Sequence, residues 1–166
     1  HGIGRFYMEI LHARMGIVEN PPDAVVCPRT QEEVLQIVKI CNDEKIPVIP
    51  FAGNSSVTKA PQAPKGGISL DLKNLNRIIE LNETNTTVTA EAGVFGPVLE
   101  KFLNEKGYTC GHFPQSFEFS TVGGWVAAKG AAQASTGYGK MQDIVLALTV
   151  VTPAGVIETK PYPAAS

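Results

Sequence analysis

Apolar and polar positions along the chain change period several times, and each change marks an element. Ala24 to Pro28 is a short apolar run suited to a buried strand. Thr30 and Glu33 then stand at capping-box spacing, and Val34, Ile37, Val38 and Cys41 recur at helical intervals, so a helix is predicted from Thr30 to about Lys45. Pro47 to Phe51 returns to an extended pattern, which makes strand, helix and strand a βαβ-like unit. Ala52 to Gly67 has no period at all. Beyond it, Gly67–Leu72, Asn76–Asn82 and Thr86–Gly93 are rich in β-branched residues and read as adjacent strands. Val98, Leu99, Phe102 and Leu103 share one face of a second helix, which Gly107 closes. Gly111 to Lys140 is poor in both periods. Ile144–Thr152 and Val156–Thr159 flank Pro153-Ala154-Gly155, a hairpin turn, and the end at YPAAS adds no further element. Before all of this, residues 1–20 form an arm or short helix, cut off by Pro21-Pro22. Helices and strands mix without strict alternation, so the predicted class is α+β with two small sheets rather than a doubly wound parallel sheet.

Composition narrows the function. The chain has 166 residues, about one domain's worth, with 43% hydrophobic and 18% charged residues, a globular balance. A net charge of -2 gives no basic face, which argues against nucleic acid as a partner. No apolar run reaches the length of a transmembrane helix, and HGIGRFYMEI lacks a signal-peptide pattern, so the expectation is a soluble, cytoplasmic protein. Cys27, Cys41 and Cys110 are odd in number and far apart, as befits reduced thiols. With His1, His12 and His112 they offer no paired spacing for zinc. His112 reads as a surface histidine, Trp125 as core, Glu118 as a structural acceptor, Tyr138 as a packed aromatic and Lys59 as a solvated side chain.

Glycine-bearing segments raise the question of phosphate. The dinucleotide template fails at Gly2 and Gly4, which lack the third glycine and follow no strand. The P-loop template fails at Gly139-Lys140, where position 134 is Ala and the next residue is Met141. A different signal lies in Pro50, Phe51, Ala52, Gly53, Asn54, Ser55 and Ser56, where a strand gives way to small and hydroxyl residues. Successive N–H groups in such a stretch can converge as an anion-binding nest, and Asn54 tolerates the left-handed backbone a nest needs. An ordinary surface loop is the other reading. A second run, Gln115, Ser116, Phe117, Glu118, Phe119, Ser120 and Thr121, leads into Gly123 and Gly124 at a predicted helix start, where free N–H groups favour an anion.

PFAGNSSV, SLDLKNLNRIIELN, TAEAGV and above all GHFPQSFEFSTVGGWVAAKGAAQASTGYGKMQDIVLALTVVTPAGVIE resemble the FAD-binding domain of the vanillyl-alcohol-oxidase/p-cresol-methylhydroxylase (PCMH-type) superfamily. The FPQSFEFSTVGGW segment is most similar to the alkyldihydroxyacetonephosphate synthase branch. The resemblance implies two small α/β subdomains with non-covalent FAD between them, in a domain over residues 21–166 that follows the arm. It assigns Pro50–Ser56 to the FAD pyrophosphate and Gln115–Thr121 to the side of flavin and pyrophosphate. Ala128, Lys129, Gly130 and Ala131 form a further FAD-contacting stretch, with Ala131 where a serine is usual.

Ala52 departs from the family's glycine-rich loop, a glycine is missing near Lys59, and Ala132 also replaces a glycine. The family continues into a last flavin-contacting segment and a substrate-binding cap domain, both beyond this chain or on a partner subunit, so no catalytic residue is named. The implied activity is a flavoprotein oxidoreductase (a FAD-linked oxidase or dehydrogenase) acting on a small molecule, such as a 2-hydroxy acid like D-lactate or glycolate. The alternatives are the synthase branch, with no net redox change, and a degenerate module that has lost FAD.

Overall fold

A computed structural model describes residues 1–160; the final YPAAS motif lies outside them. The first half is built on a three-stranded parallel sheet of β1 (Ala24–Val26), β2 (Val48–Phe51) and β3 (Ile68–Asp71), in the order β1-β3-β2. Helix α2 (Gln31–Asp43) joins β1 to β2, as the βαβ pattern predicts. Thr30 Oγ1 accepts the Glu33 N–H at 3.2 Å, while the Glu33 carboxylate reaches one residue further back, to the Arg29 N–H at 2.6 Å. Val34 and Cys41 are the buried positions of this helix.

Gly67–Leu72 forms a strand but does not stand beside the next two. It inserts between β1 and β2, where its side chains are half-buried at Ile68 and buried from Ser69 to Asp71. Strand propensity says that a segment is extended, and says nothing of its partner. Parallel neighbours need a crossover of a dozen or more residues, which the aperiodic Ala52–Gly67 connection supplies. Gly67 makes the seam tight: its φ is +105°, and a Cβ there would collide with the Pro47 carbonyl. Its N–H donates to Asp23 Oδ2 at 2.6 Å and its carbonyl accepts the Asp23 N–H at 2.8 Å.

The second half carries two antiparallel pairs, β4 (Ile78–Asn82) with β5 (Thr87–Ala90), and β6 (Thr149–Thr152) with β7 (Gly155–Glu158). The described residues therefore hold three sheets where two were expected. The hairpin turn is Pro153-Ala154, because Thr152 and Gly155 already pair. Between the hairpins lie α3 (Gly96–Asn104), a 3-10 turn (Phe117–Phe119) and the short helices α4 (Val122–Ala127), α5 (Ser135–Tyr138) and α6 (Met141–Ile144). The start of the predicted Ile144–Thr152 strand is thus the end of a helical turn, and β6 begins only at Thr149. Val94, Leu99, Leu103, Trp125 and Met141 form the core of this half. Residues 1–20 contain one helix, α1 (Tyr7–Arg14).

His112 is fully buried rather than on the surface, its ring 4.9 Å from that of Trp125 and edge-on to it. Neither ring nitrogen has a hydrogen-bond partner. Burial therefore disfavours the imidazolium and holds the pKa below the ordinary 6.5. The unfolded chain binds the extra proton, so stability is whole above that ordinary value and falls as pH drops below it. Urea midpoints measured across that range should decline on the acid side, and His112→Phe should flatten that part of the decline. Separately, Thr30→Ala should cost about 1 kcal/mol in urea unfolding through loss of the α2 cap.

Candidate functional site

At the carboxyl end of β2, Phe51 pairs with Asp71, and its carbonyl accepts the Leu72 N–H at 2.8 Å. There the ladder stops. Among the described residues, no backbone N–H from Ala52 to Val57 donates to another protein group. Asn54 is the left-handed residue of this loop, with φ +60°. Ala52 is not left-handed, so alanine in place of the family's glycine carries no backbone strain there. Lys59 is, at φ +58°, which accounts for a glycine being favoured there. Ser56 Oγ turns back on its own loop and accepts the Thr58 and Ala60 N–H groups at 3.2 and 3.4 Å, so it shapes the turn. Lys59 is half exposed and pairs with Glu19 at 2.7 Å. Pro50 is exposed, Ser55 is half-buried, and the ring of Phe51 lies 4.5 Å from that of His1.

The second run is folded against the core. Ser120 Oγ donates to the Ser116 carbonyl at 2.8 Å and accepts Trp125 Nε1 at 2.6 Å. Phe117 stacks on Trp125 at 6.2 Å, with Gly96 wedged against both rings. Thr121 does begin a helix, capping α4 through the Gly124 N–H at 3.4 Å. The free N–H groups expected at that start are not there. Val122 donates to the Val94 carbonyl at 2.9 Å and Gly123 to Ala92 at 2.8 Å, because the run is pinned across the Ala92–Val94 turn. What faces outward is Gln115, Glu118 and the half-exposed ring of Phe119. Glu118 makes no hydrogen bond among the described residues, so the structural-acceptor role is not seen. Tyr138 is 58% exposed, laid over Gly111 rather than packed inside.

Ala128–Ala131 leaves α4 through Lys129, left-handed at φ +50°. Gly130 donates to the Trp125 carbonyl at 3.0 Å and accepts the Met141 N–H at 2.9 Å, which holds the stretch onto α4 and α6. Ala128, Lys129 and Ala131 are exposed, and Lys129 lines a groove of about 300 Å³ together with Val126, Met141, Val145 and Leu148.

The first two runs meet through Gly53. It is buried, and a Cβ there would collide with the Phe119 carbonyl oxygen and stand 2.9 Å from Ser120 Cα. The result is a ledge of unused N–H donors, with no carboxylate in Pro50–Val57, backed by a second backbone and bordered by an aromatic ring. Such a donor set suits a diphosphate, whose charge is met by oriented main-chain dipoles. Sequence reasoning missed the contacts of residues 1–9 with this ledge: the Arg5 N–H donates to the Asn54 carbonyl at 3.2 Å, and the Arg5 guanidinium lies 4.8 Å from the Phe119 ring centre. A sequence marks such an arm only by its two buried glycines, Gly2 and Gly4.

A family model described as "FAD binding domain" matches residues 22–160. Alkyldihydroxyacetonephosphate synthase of Trypanosoma brucei brucei is 34% identical over 96% of this chain and 27% of its own length. The mitochondrial D-lactate dehydrogenase [cytochrome] of Arabidopsis thaliana is 36% identical over 84% of this chain and 24% of its own. A solved alkyldihydroxyacetonephosphate synthase structure superposes with a TM-score of 0.91 at 32% identity, over 98% of this chain and 31% of that one. The chain thus spans about a quarter of the curated relatives it matches. Among the described residues, no helix is long and apolar enough to cross a membrane. The chain belongs to the FAD binding domain family, and FAD is its cofactor.

Proposed function

We propose that the Ala52–Val57 ledge holds the diphosphate of a non-covalently bound FAD, with Gln115–Thr121 and Ala128–Ala131 alongside. The observation that carries this is the run of undonated N–H groups ending at a backbone-on-backbone contact, Gly53 against Phe119 and Ser120. FAD, when bound, supplies the reactive flavin ring; the protein supplies anchoring, orientation and a fixed field. The loop contains no histidine or cysteine for a covalent link. Residues 1–20 act as an arm and residues 21–166 as the FAD domain of a larger flavoenzyme. A cap domain or partner subunit brings the small-molecule substrate and completes the flavin site. A reducing, cytoplasmic setting is supported by the unpaired thiols of Cys27, Cys41 and Cys110.

Of the activities open to such a domain, the synthase branch has one observation in its favour. A match over 96% of the chain takes in most of residues 1–21, which the family model at 22–160 omits. Those residues pack on the ledge and so are part of what is shared. Oxidoreduction of a 2-hydroxy acid is the second reading, favoured by the 36% identity to D-lactate dehydrogenase.

Gly53→Val should give a folded but colourless protein, because the added side chain drives the two runs apart. Flavin absorbance and far-ultraviolet circular dichroism check this, and flavin retained at wild-type content would remove the ledge as the diphosphate site. Ala52→Gly should leave flavin content unchanged, since Ala52 is not left-handed. The full-length protein, mixed anaerobically with D-lactate or glycolate, should keep its oxidised flavin spectrum; given instead a long-chain alcohol and a dihydroxyacetone phosphate ester, it should form alkyldihydroxyacetone phosphate and release the acid of that ester. Bleaching by either hydroxy acid would assign it to the oxidoreductases instead.

A further inference from the structure

The arm that precedes the FAD domain touches both runs assigned to the cofactor, and it does so through main-chain and side-chain groups at once. Asn54 is bracketed by it: the Asn54 Nδ2 donates to the Ile3 carbonyl, and the Asn54 carbonyl accepts the Arg5 N–H at 3.2 Å. Between them Gly4 has no room for a side chain, since a Cβ would stand 3.0 Å from the Ser56 carbonyl and 2.5 Å from Glu9 Oε2. Arg5 then lays its guanidinium over Phe119 in the other run, 4.8 Å from the ring centre.

The arm is fixed apart from these contacts. His1 Nε2 lies 2.6 Å from Asp71 Oδ2 at the end of β3, and Glu9, 3% exposed, accepts the Gly4 N–H at 3.0 Å. Asn54 is the left-handed position of the ledge. A right-handed residue followed by a left-handed one turns consecutive N–H groups toward one side, and that geometry makes a nest. For a residue other than glycine it also costs energy, which an outside bond to the side chain offsets.

We infer that Ile3–Arg5 is a clip that governs FAD retention: it holds Asn54 left-handed, so that the ledge N–H groups converge, and it ties the ledge to Phe119. Asn54 and Arg5 are positioning residues that act through the loop. The inference rests on the reading that the ledge holds the diphosphate. FAD release from the full-length protein is followed by the recovery of flavin fluorescence after dilution.

Asn54→Gly keeps the left-handed backbone accessible but loses the bond to Ile3, and Arg5→Ala loses the ring contact. Each should release FAD faster, by up to about tenfold, the scale of one or two lost contacts of this kind. Arg5→Lys should recover part of the loss. Deleting residues 1–5 together with Asn54→Gly should release FAD no faster than the deletion alone, because both act through the same bond. Additive rates in that pair would overturn the clip and leave Asn54 as an ordinary loop residue. Should the deletion fail to fold, Asn54→Gly and Arg5→Ala still test the two contacts of the clip one at a time, and release at the wild-type rate in both overturns it. Wild-type release in all of these, while Gly53→Val still loses its flavin, refutes the clip and spares the ledge; flavin kept by Gly53→Val refutes the ledge itself.

Discussion

Two stretches of backbone lie against each other with no side chain between them, and the architecture around the site follows from that closeness. Gly53 meets the Phe119 carbonyl and Ser120, so the loop leaving the parallel sheet is held at a fixed height over the second half of the domain. Ser120 in turn is locked by Trp125 and Ser116, and Trp125 belongs to the hydrophobic core. A loop with no ladder bonds of its own thereby acquires the rigidity of the core beneath it. Unpaired N–H groups are ordinarily solvated and mobile; here they are presented from a fixed frame. That is the condition under which main-chain dipoles bind an anion without losing energy to reorganisation.

How far the sequence foretold this depends on whether a signal is local. The α2 helix was legible because its cap and its apolar spacing lie within one stretch of chain, although Glu33 found Arg29 rather than Thr30. The Pro153-Ala154 turn was legible for the same reason. The place of β3 was not, because strand order depends on where the Ala52–Gly67 connection crosses. Ile144 misled because it is both the last residue of the Met141–Ile144 turn and the first of an apolar run, and a short apolar run does not tell helix from strand. His112 misled because a polar ring can be buried without partners when its neighbours are aromatic and glycine.

Within the site the same division holds. Composition pointed to both runs and to the left-handed tolerance of Asn54, and the resemblance placed both runs at one cofactor. Neither disclosed that the helix start at Thr121 has its N–H groups already engaged by Val94 and Ala92. The unused N–H donors are therefore concentrated on one side, in the loop after β2. Nor did any pattern disclose the arm, since its contacts run between residues more than forty positions apart and use carbonyls, which carry no residue-type signature.

The order β1-β3-β2 has a consequence for how the chain assembles. Its central strand is synthesised last of the three, so β1 and β2 cannot pair through it until the Ala52–Gly67 crossing has formed. Closing that crossing costs chain entropy before any ladder bond repays it. The crossing delivers the loop, but the ledge is finished only when Phe119 and Ser120, synthesised some fifty residues after β3, come to lie against Gly53, so the sheet is complete in sequence before the ledge can be.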